Sequence, residues 1–174
     1  MDIRIFLKKE GGAVQLIDKE KMQEWPVELP LIFIEYIRNN QLKNYDDVKV
    51  RAEVEKYLDE ILEDVAIPRL INVLEGDDME EIILALTRIE EISKKKIEMI
   101  KPIEPYLEKL SEMKNTIIVK LTQEISNNFQ KAERRKELAK KRKIMREKEK
   151  LFLEGKINGQ EYANARKEYL TLKD

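Results

Sequence analysis

The residues able to do chemistry gather in three places. Asp77-Asp78-Met79-Glu80-Glu81 is the one tight carboxylate cluster. Acids this close can hold Mg²⁺, but the alternating spacing of a calcium loop is missing. Standing before an apolar-periodic stretch, they read as a helix N-cap with acids in the first turn, where negative charge complements the helix dipole. Gly155-Lys156-Ile157-Asn158-Gly159 lacks the GxxxxGK[ST] order of a phosphate loop and reads as a helix stop and turn. The third place is Lys131–Lys150, with eleven Lys and Arg against four acids. The sequence has no histidine and no cysteine, so imidazole bases, thiolate nucleophiles and the usual zinc sites are excluded. No cofactor, no metal and no catalysis are expected. The lack of cysteine also suits an intracellular protein.

The basic run is the clearest binding candidate. Arg134, Arg135, Lys140, Lys141, Arg142, Lys143 and Arg146 could neutralise phosphates along one side of a nucleic acid, or meet an acidic protein. No aromatic residue is interleaved within it, so stacking on single strands is unsupported. The alternative is a solvated helix whose Glu133, Glu137 and Glu147 pair with cations three or four residues away.

A net charge of −1 conceals a split chain. Residues 46–91 carry fifteen acids against five bases, the reverse of the basic run, which suggests separate surfaces for separate partners. The 42% hydrophobic fraction is enough for a core, and the 40% charged fraction implies long solvated helix faces. No apolar run approaches the ~18 residues of a membrane span, and Met1-Asp-Ile-Arg lacks a signal-peptide layout, so a cytoplasmic protein without membrane contact is expected.

From the N-terminus, Ile3, Ile5 and Leu7 alternate with their neighbours as in a strand, Gly11-Gly12 supplies a turn, and Ala13–Ile17 suggests a second strand. Trp25-Pro26-Val27-Glu28-Leu29-Pro30-Leu31 then forms a joint. Pro30 suits the first turn of a helix that continues through Ile34 and Ile37. Val48–Val65 follows the 3.6-residue period, Ile67-Pro68 interrupts it, and a short helix ends at Gly76. A third helix runs from Asp78 to about Ser93, another holds Pro105, Leu107 and Leu110, and a long one spans about Asn115 to Glu154. Leu138, Met145 and Phe152 lie seven apart but with charged residues between, which predicts a projecting or mobile helix rather than a coiled coil. Asn158-Gly159 starts a last helix with Tyr162, Ala165 and Tyr169. The fold class expected is α+β, mostly α. Its parts are a small β-rich domain with the joint helix over 1–40, an α-helical domain over 46–130, and a basic helix with a C-terminal hairpin over 131–174.

The joint, Pro26-Val27-Glu28-Leu29-Pro30-Leu31 followed by Ile34 and Arg38, resembles the proline–valine–x–valine–proline–leucine run of GINS replication-complex subunits of the B-domain-first kind. That resemblance implies a non-catalytic scaffold with a leading β domain. Trp25, Pro26, Val27, Leu29, Pro30 and Leu31 would be its domain joint. The implied partners are a second GINS subunit in a heterotetramer, the MCM helicase and a RecJ-like or Cdc-type protein, with DNA contact and a nucleoid-associated location. Two smaller resemblances accompany it. Pro68, Leu70 and Val73 recur 37 residues later as Pro105, Leu107 and Leu110, similar to a HEAT-type helix pair serving as an adaptor. Leu151, Leu153, Gly155, Ile157, Glu161, Tyr162 and Leu170 resemble a C-terminal hairpin of the SHOCT kind. An RNA- or ribosome-associated protein, binding through 131–150, is the other reading the basic run allows.

Overall fold

A computed structural model describes the backbone of residues 9–10, 13–14, 19–44 and 46–173. The described residues form seven α-helices: α1 Leu29–Tyr36, α2 Val48–Ile61, α3 Ile67–Leu74, α4 Met79–Lys96, α5 Glu104–Ser111, α6 Thr116–Leu153 and α7 Gly159–Lys173. The chain divides into two compact units, one up to Gln123 and one from Glu124 onward. The division falls inside α6, seven residues before the boundary expected at 130–131, and the joint belongs to the same unit as α2 to α5.

The fold is all-α, and the expected α+β class is corrected. Strand pairing among the described residues amounts to a two-residue antiparallel ladder, Lys9 opposite Val14 and Glu10 opposite Ala13. The first expected strand, Ile3–Leu7, lies outside the described residues. A ladder this short forms no layer, since two-stranded ribbons need a third strand or a packed face to persist. The next described segments add no strand: Lys19–Glu24 is a 3₁₀ turn that buries Met22, and the helix-compatible φ of Pro30 then starts α1.

Within the first unit, α1 buries Leu31, Phe33 and Ile34. The expected interruption at Ile67-Pro68 is absent. Instead α2 continues through a π-helical turn, Leu62–Ala66, directly into α3. There the Ile67 N–H reaches back to the Leu62 carbonyl, a wider loop than the α-helical one, and Pro68 sits in the first turn of α3, where its missing N–H costs little. The core draws Val54, Leu58 and Ile61 from α2, Val65 and Ala66 from the π turn, Leu70 and Leu74 from α3, and Ile82, Leu86 and Ile89 from α4.

The two helix pairs α3–α4 and α5–α6 repeat in register. Ile67 to Glu104, Leu74 to Ser111 and Met79 to Thr116 are each 37 residues apart. Both short helices carry proline in their first turn, and Leu70 and its counterpart Leu107 are both buried. The N-caps repeat as well. The Asp78 carboxylate accepts from the backbone N–H groups of Glu80 (2.9 Å) and Glu81 (3.2 Å). Thirty-seven residues on, the Asn115 side-chain oxygen accepts from Ile117 (3.0 Å) and Ile118 (3.3 Å).

The second unit is an antiparallel hairpin, in which α7 turns back along the helix that holds residues 131–150. Gly155, at φ +69°, closes α6, and the Lys156 N–H donates to the Leu151 carbonyl at 2.9 Å. Phe152 stacks on Tyr162 with centroids 5.6 Å apart. Lys148 meets Glu161 at 3.2 Å and Lys141 meets Glu168 at 2.5 Å, so residues seven apart on one helix meet residues seven apart on the other. Leu138, Met145 and Leu151 on α6 and Tyr162, Ala165, Tyr169 and Leu172 on α7 are all half-buried. The seven-residue spacing thus makes a real seam. Its charged positions are filled by lysines that lay their stems along it and carry their ammonium groups to α7 carboxylates.

Candidate cationic groove

The hairpin sorts the cations of the basic run. Arg134 donates to the Leu172 carbonyl at 3.2 Å, and Lys141 is bound to Glu168. Glu168 hydrogen-bonds the Lys141 ammonium and so raises its pKa above the ordinary 10.5. Around Lys141 and Glu168 lies a hollow of about 320 Å³ that also takes in Glu137 and Lys167, and its charges are mixed.

The other side differs. Arg135, Arg142, Lys143, Arg146 and Lys150 line a groove of about 500 Å³ together with Leu138, Ala139, Glu147 and Tyr169. Lys143 has a loose contact to Glu147 and Lys150 one to Glu154, each at 3.9 Å. No described acid lies within ion-pair distance of the Arg135, Arg142 or Arg146 guanidinium. Their spacing explains the alignment: 135, 139, 142, 146 and 150 advance by four and three residues, one face of a helix. At ~1.5 Å per residue the row runs for about 22 Å.

Of the seven sequence-predicted contacts, Arg135, Arg142, Lys143 and Arg146 come together in the groove. Arg134 and Lys141 are engaged with α7 instead, and Lys140 is exposed outside it. Lys150 and Tyr169 were missed. Lys150 was visible in the four-residue step from Arg146. Tyr169 comes from another helix, so the lack of aromatics within 131–150 says nothing about the groove.

The joint is structural in its geometry. Pro30 and Leu31 are buried, Trp25, Val27 and Leu29 half-buried, and Pro26 exposed. The Trp25 ring meets Phe33 of α1 edge-on with centroids 5.9 Å apart. Arg69 of α3, which sequence reasoning did not single out, fastens this turn. Its guanidinium donates to the carbonyls of Gln23 (2.9 Å) and Trp25, with longer contacts of 3.4 Å to Met22 and Pro26. Arg38 meets Glu55 at 3.0 Å and Asp59 at 2.5 Å, Lys96 also meets Asp59, and Lys19 meets Glu60 at 3.1 Å and Asp64 at 2.7 Å. Part of the acidic surplus of residues 46–91 is therefore neutralised by internal cations.

A second hollow of about 500 Å³ in the first unit is lined by Leu31, Ile34, Leu62, Ile92, Lys95 and several charged groups. Arg38, Arg88 and Lys96 there are already paired with acids, which leaves the groove of the hairpin as the stronger anion site. The acids of Asp77–Glu81 act as a cap, and among the described residues no cluster of acids is arranged to hold a metal ion. No described helix is long and apolar enough to cross a membrane. No family model matches the chain, and no curated protein or solved structure does either.

Proposed function

We propose that the chain is a non-catalytic binding protein that engages nucleic acid through the hairpin groove, with its first unit as a helical docking body. The observation that carries this is the row Arg135, Arg142 and Arg146, flanked by Lys143 and Lys150 and not neutralised by α7. Guanidinium groups match phosphate geometry with paired donors, and a row of them makes binding steeply salt-dependent. The test is fluorescence anisotropy of labelled oligonucleotides against the full chain across a salt series. If five cations engage phosphates, log K falls with log[salt] at a slope of about −3.5 for single strands and −4.5 for duplex. Arg135→Gln with Arg142→Gln and Arg146→Gln reduces that slope by about 2 to 3. Polyglutamate displacing the oligonucleotide at equal charge would move the site to acidic proteins.

A second, more specific reading has the chain as a GINS-type replication scaffold, with a second such subunit, MCM and a RecJ-like or Cdc-type protein as partners, nucleoid-associated. The residues of the matching run support it by the work they do. Pro30 opens α1, Leu31 is buried, and Arg38 ties α1's continuation to α2. The β-first layout gives it no support. Capture from nuclease-treated lysate of the source organism distinguishes the two. A second GINS-like subunit with MCM supports the scaffold, whereas loss of all partners after digestion leaves the nucleic-acid reading. The 37-residue helix-pair repeat favours an adaptor role for the first unit under either.

A further inference from the structure

We infer that the groove takes single-stranded nucleic acid, with one base held against Tyr169 while the arginine row holds the flanking phosphates. This rests on the nucleic-acid reading above and goes beyond it in naming the form of the ligand. A surface for phosphates alone needs only cations, yet this groove is also lined by Leu138, Ala139 and Tyr169. Tyr169, half-buried, reaches the groove from α7 and lines it together with Leu138, Ala139 and Arg142 of α6. An aromatic ring beside an apolar patch, bordered by unneutralised guanidinium groups, is what a splayed base and its two phosphates require. A duplex keeps its bases stacked inside and offers nothing to such a slot. The groove's ~500 Å³ lies within the usual range of ~300–1,000 Å³ for small-ligand sites, which is ample for one base. The hairpin also explains why the slot stays open. Phe152 stacks on Tyr162, and Lys141 and Lys148 are drawn to Glu168 and Glu161, so these groups are occupied elsewhere. Base stacking tolerates any sequence, so little sequence preference is expected.

The test compares a labelled dT12 oligonucleotide with a 12-base-pair duplex, using the full chain, Tyr169→Phe and Tyr169→Ala. The single strand binds tighter. Tyr169→Ala weakens it roughly 5- to 100-fold, as loss of a stacking contact does, and leaves the salt slope unchanged; Tyr169→Phe binds as the parent does. Because Tyr169 also lies in the hairpin seam, the unaltered chain is photocrosslinked to an oligonucleotide of 5-iodouridine and the site located by mass spectrometry. Crosslinking at Tyr169 is the expected result. Equal duplex binding with crosslinks elsewhere overturns the base slot while the phosphate-binding reading stands. Absence of salt-dependent binding to either form overturns both.

Discussion

Replacing Arg69 tests the packing of the first unit most directly. Its guanidinium reaches the carbonyls of the 22–26 turn, with Gln23 at 2.9 Å and Trp25 as the close contacts. Hydrogen bonds to a charged donor contribute about 1.5–3 kcal/mol each when sheltered. Arg69 is only half-buried and two of its four contacts are long, at 3.4 Å, so the lower end applies to the two good ones. Removing them also loosens Met22, which is 0% exposed and whose burial contributes up to ~3 kcal/mol. Arg69→Met, which keeps the apolar stem, is therefore expected to cost about 2–4 kcal/mol. At ~2–4 °C per kcal/mol for a chain of this size, Tm falls by about 5–15 °C. Trp25 is the sole tryptophan, so its emission reports the turn while circular dichroism reports the helices. The expected result is a red-shifted emission that appears below the main melting transition, with Arg69→Lys intermediate because an ammonium cannot fork between two carbonyls. Unchanged emission and a Tm within 1 °C or so of the parent would refute the assignment of Arg69 as the fastening.

Three further outcomes can be measured. Gly155→Ala meets no atom within 4 Å of the new Cβ, so its cost is the φ of +69° alone, about 1–2 kcal/mol; the hairpin loses helicity and gains protease sensitivity near 155 while Trp25 emission is unmoved. Asp78→Ala and Asn115→Ala each remove an N-cap and should each cost about 1 kcal/mol in urea unfolding, Asn115→Asp being nearly neutral. Bonding to Glu168 raises the Lys141 pKa above 10.5 in the folded chain. The stabilisation is therefore fully present below the unfolded pKa and lost as pH rises through the higher folded one. Hairpin helicity should loosen on going alkaline past about pH 10.5, and Lys141→Met should flatten that part of the pH profile.

The long helices and their caps were legible because their signals are local. The 3.6-residue stripe, Asp78 before an apolar run, Pro30 at a first turn and Gly155 at a stop each act within a few residues, and the structure places helices accordingly. The α+β class was misread because period-two alternation over a few residues is a weak signal, and the described strand pairing joins only two residues on each side. The next described segments, the 3₁₀ turn that buries Met22 and the helix opened by Pro30, add no strand to it. The hairpin seam was underrated for a physical reason. Lysines at seam positions look like breaks in an apolar stripe, yet their stems pack while their charges find Glu161 and Glu168, whose place could be known only once α7 folded back. Tyr169 and Arg69 were invisible for the same cause: each acts on a segment more than twenty residues away.

The π turn Leu62–Ala66 sets the phase between the buried stripes of α2 and α3. Val54, Leu58 and Ile61 mark one buried stripe, and Leu62, Ala66, Leu70 and Leu74 continue it one residue later. An α-helix rotates ~100° per residue, so one surplus residue in a regular helix would have swung α3 away from the core. The wide turn absorbs that residue locally, which is how π turns in helices commonly behave. Glu63, exposed within the turn, is the natural candidate for the surplus. Its loss would restore an unbroken helix with both stripes in phase, but the narrower turn would then press the Pro68 ring onto the carbonyl four residues before it. The wide turn and the proline are thus coupled: deleting Glu63 alone would set the Pro68 ring against a carbonyl, so a shortened helix is expected to fold well only when Pro68 is replaced as well.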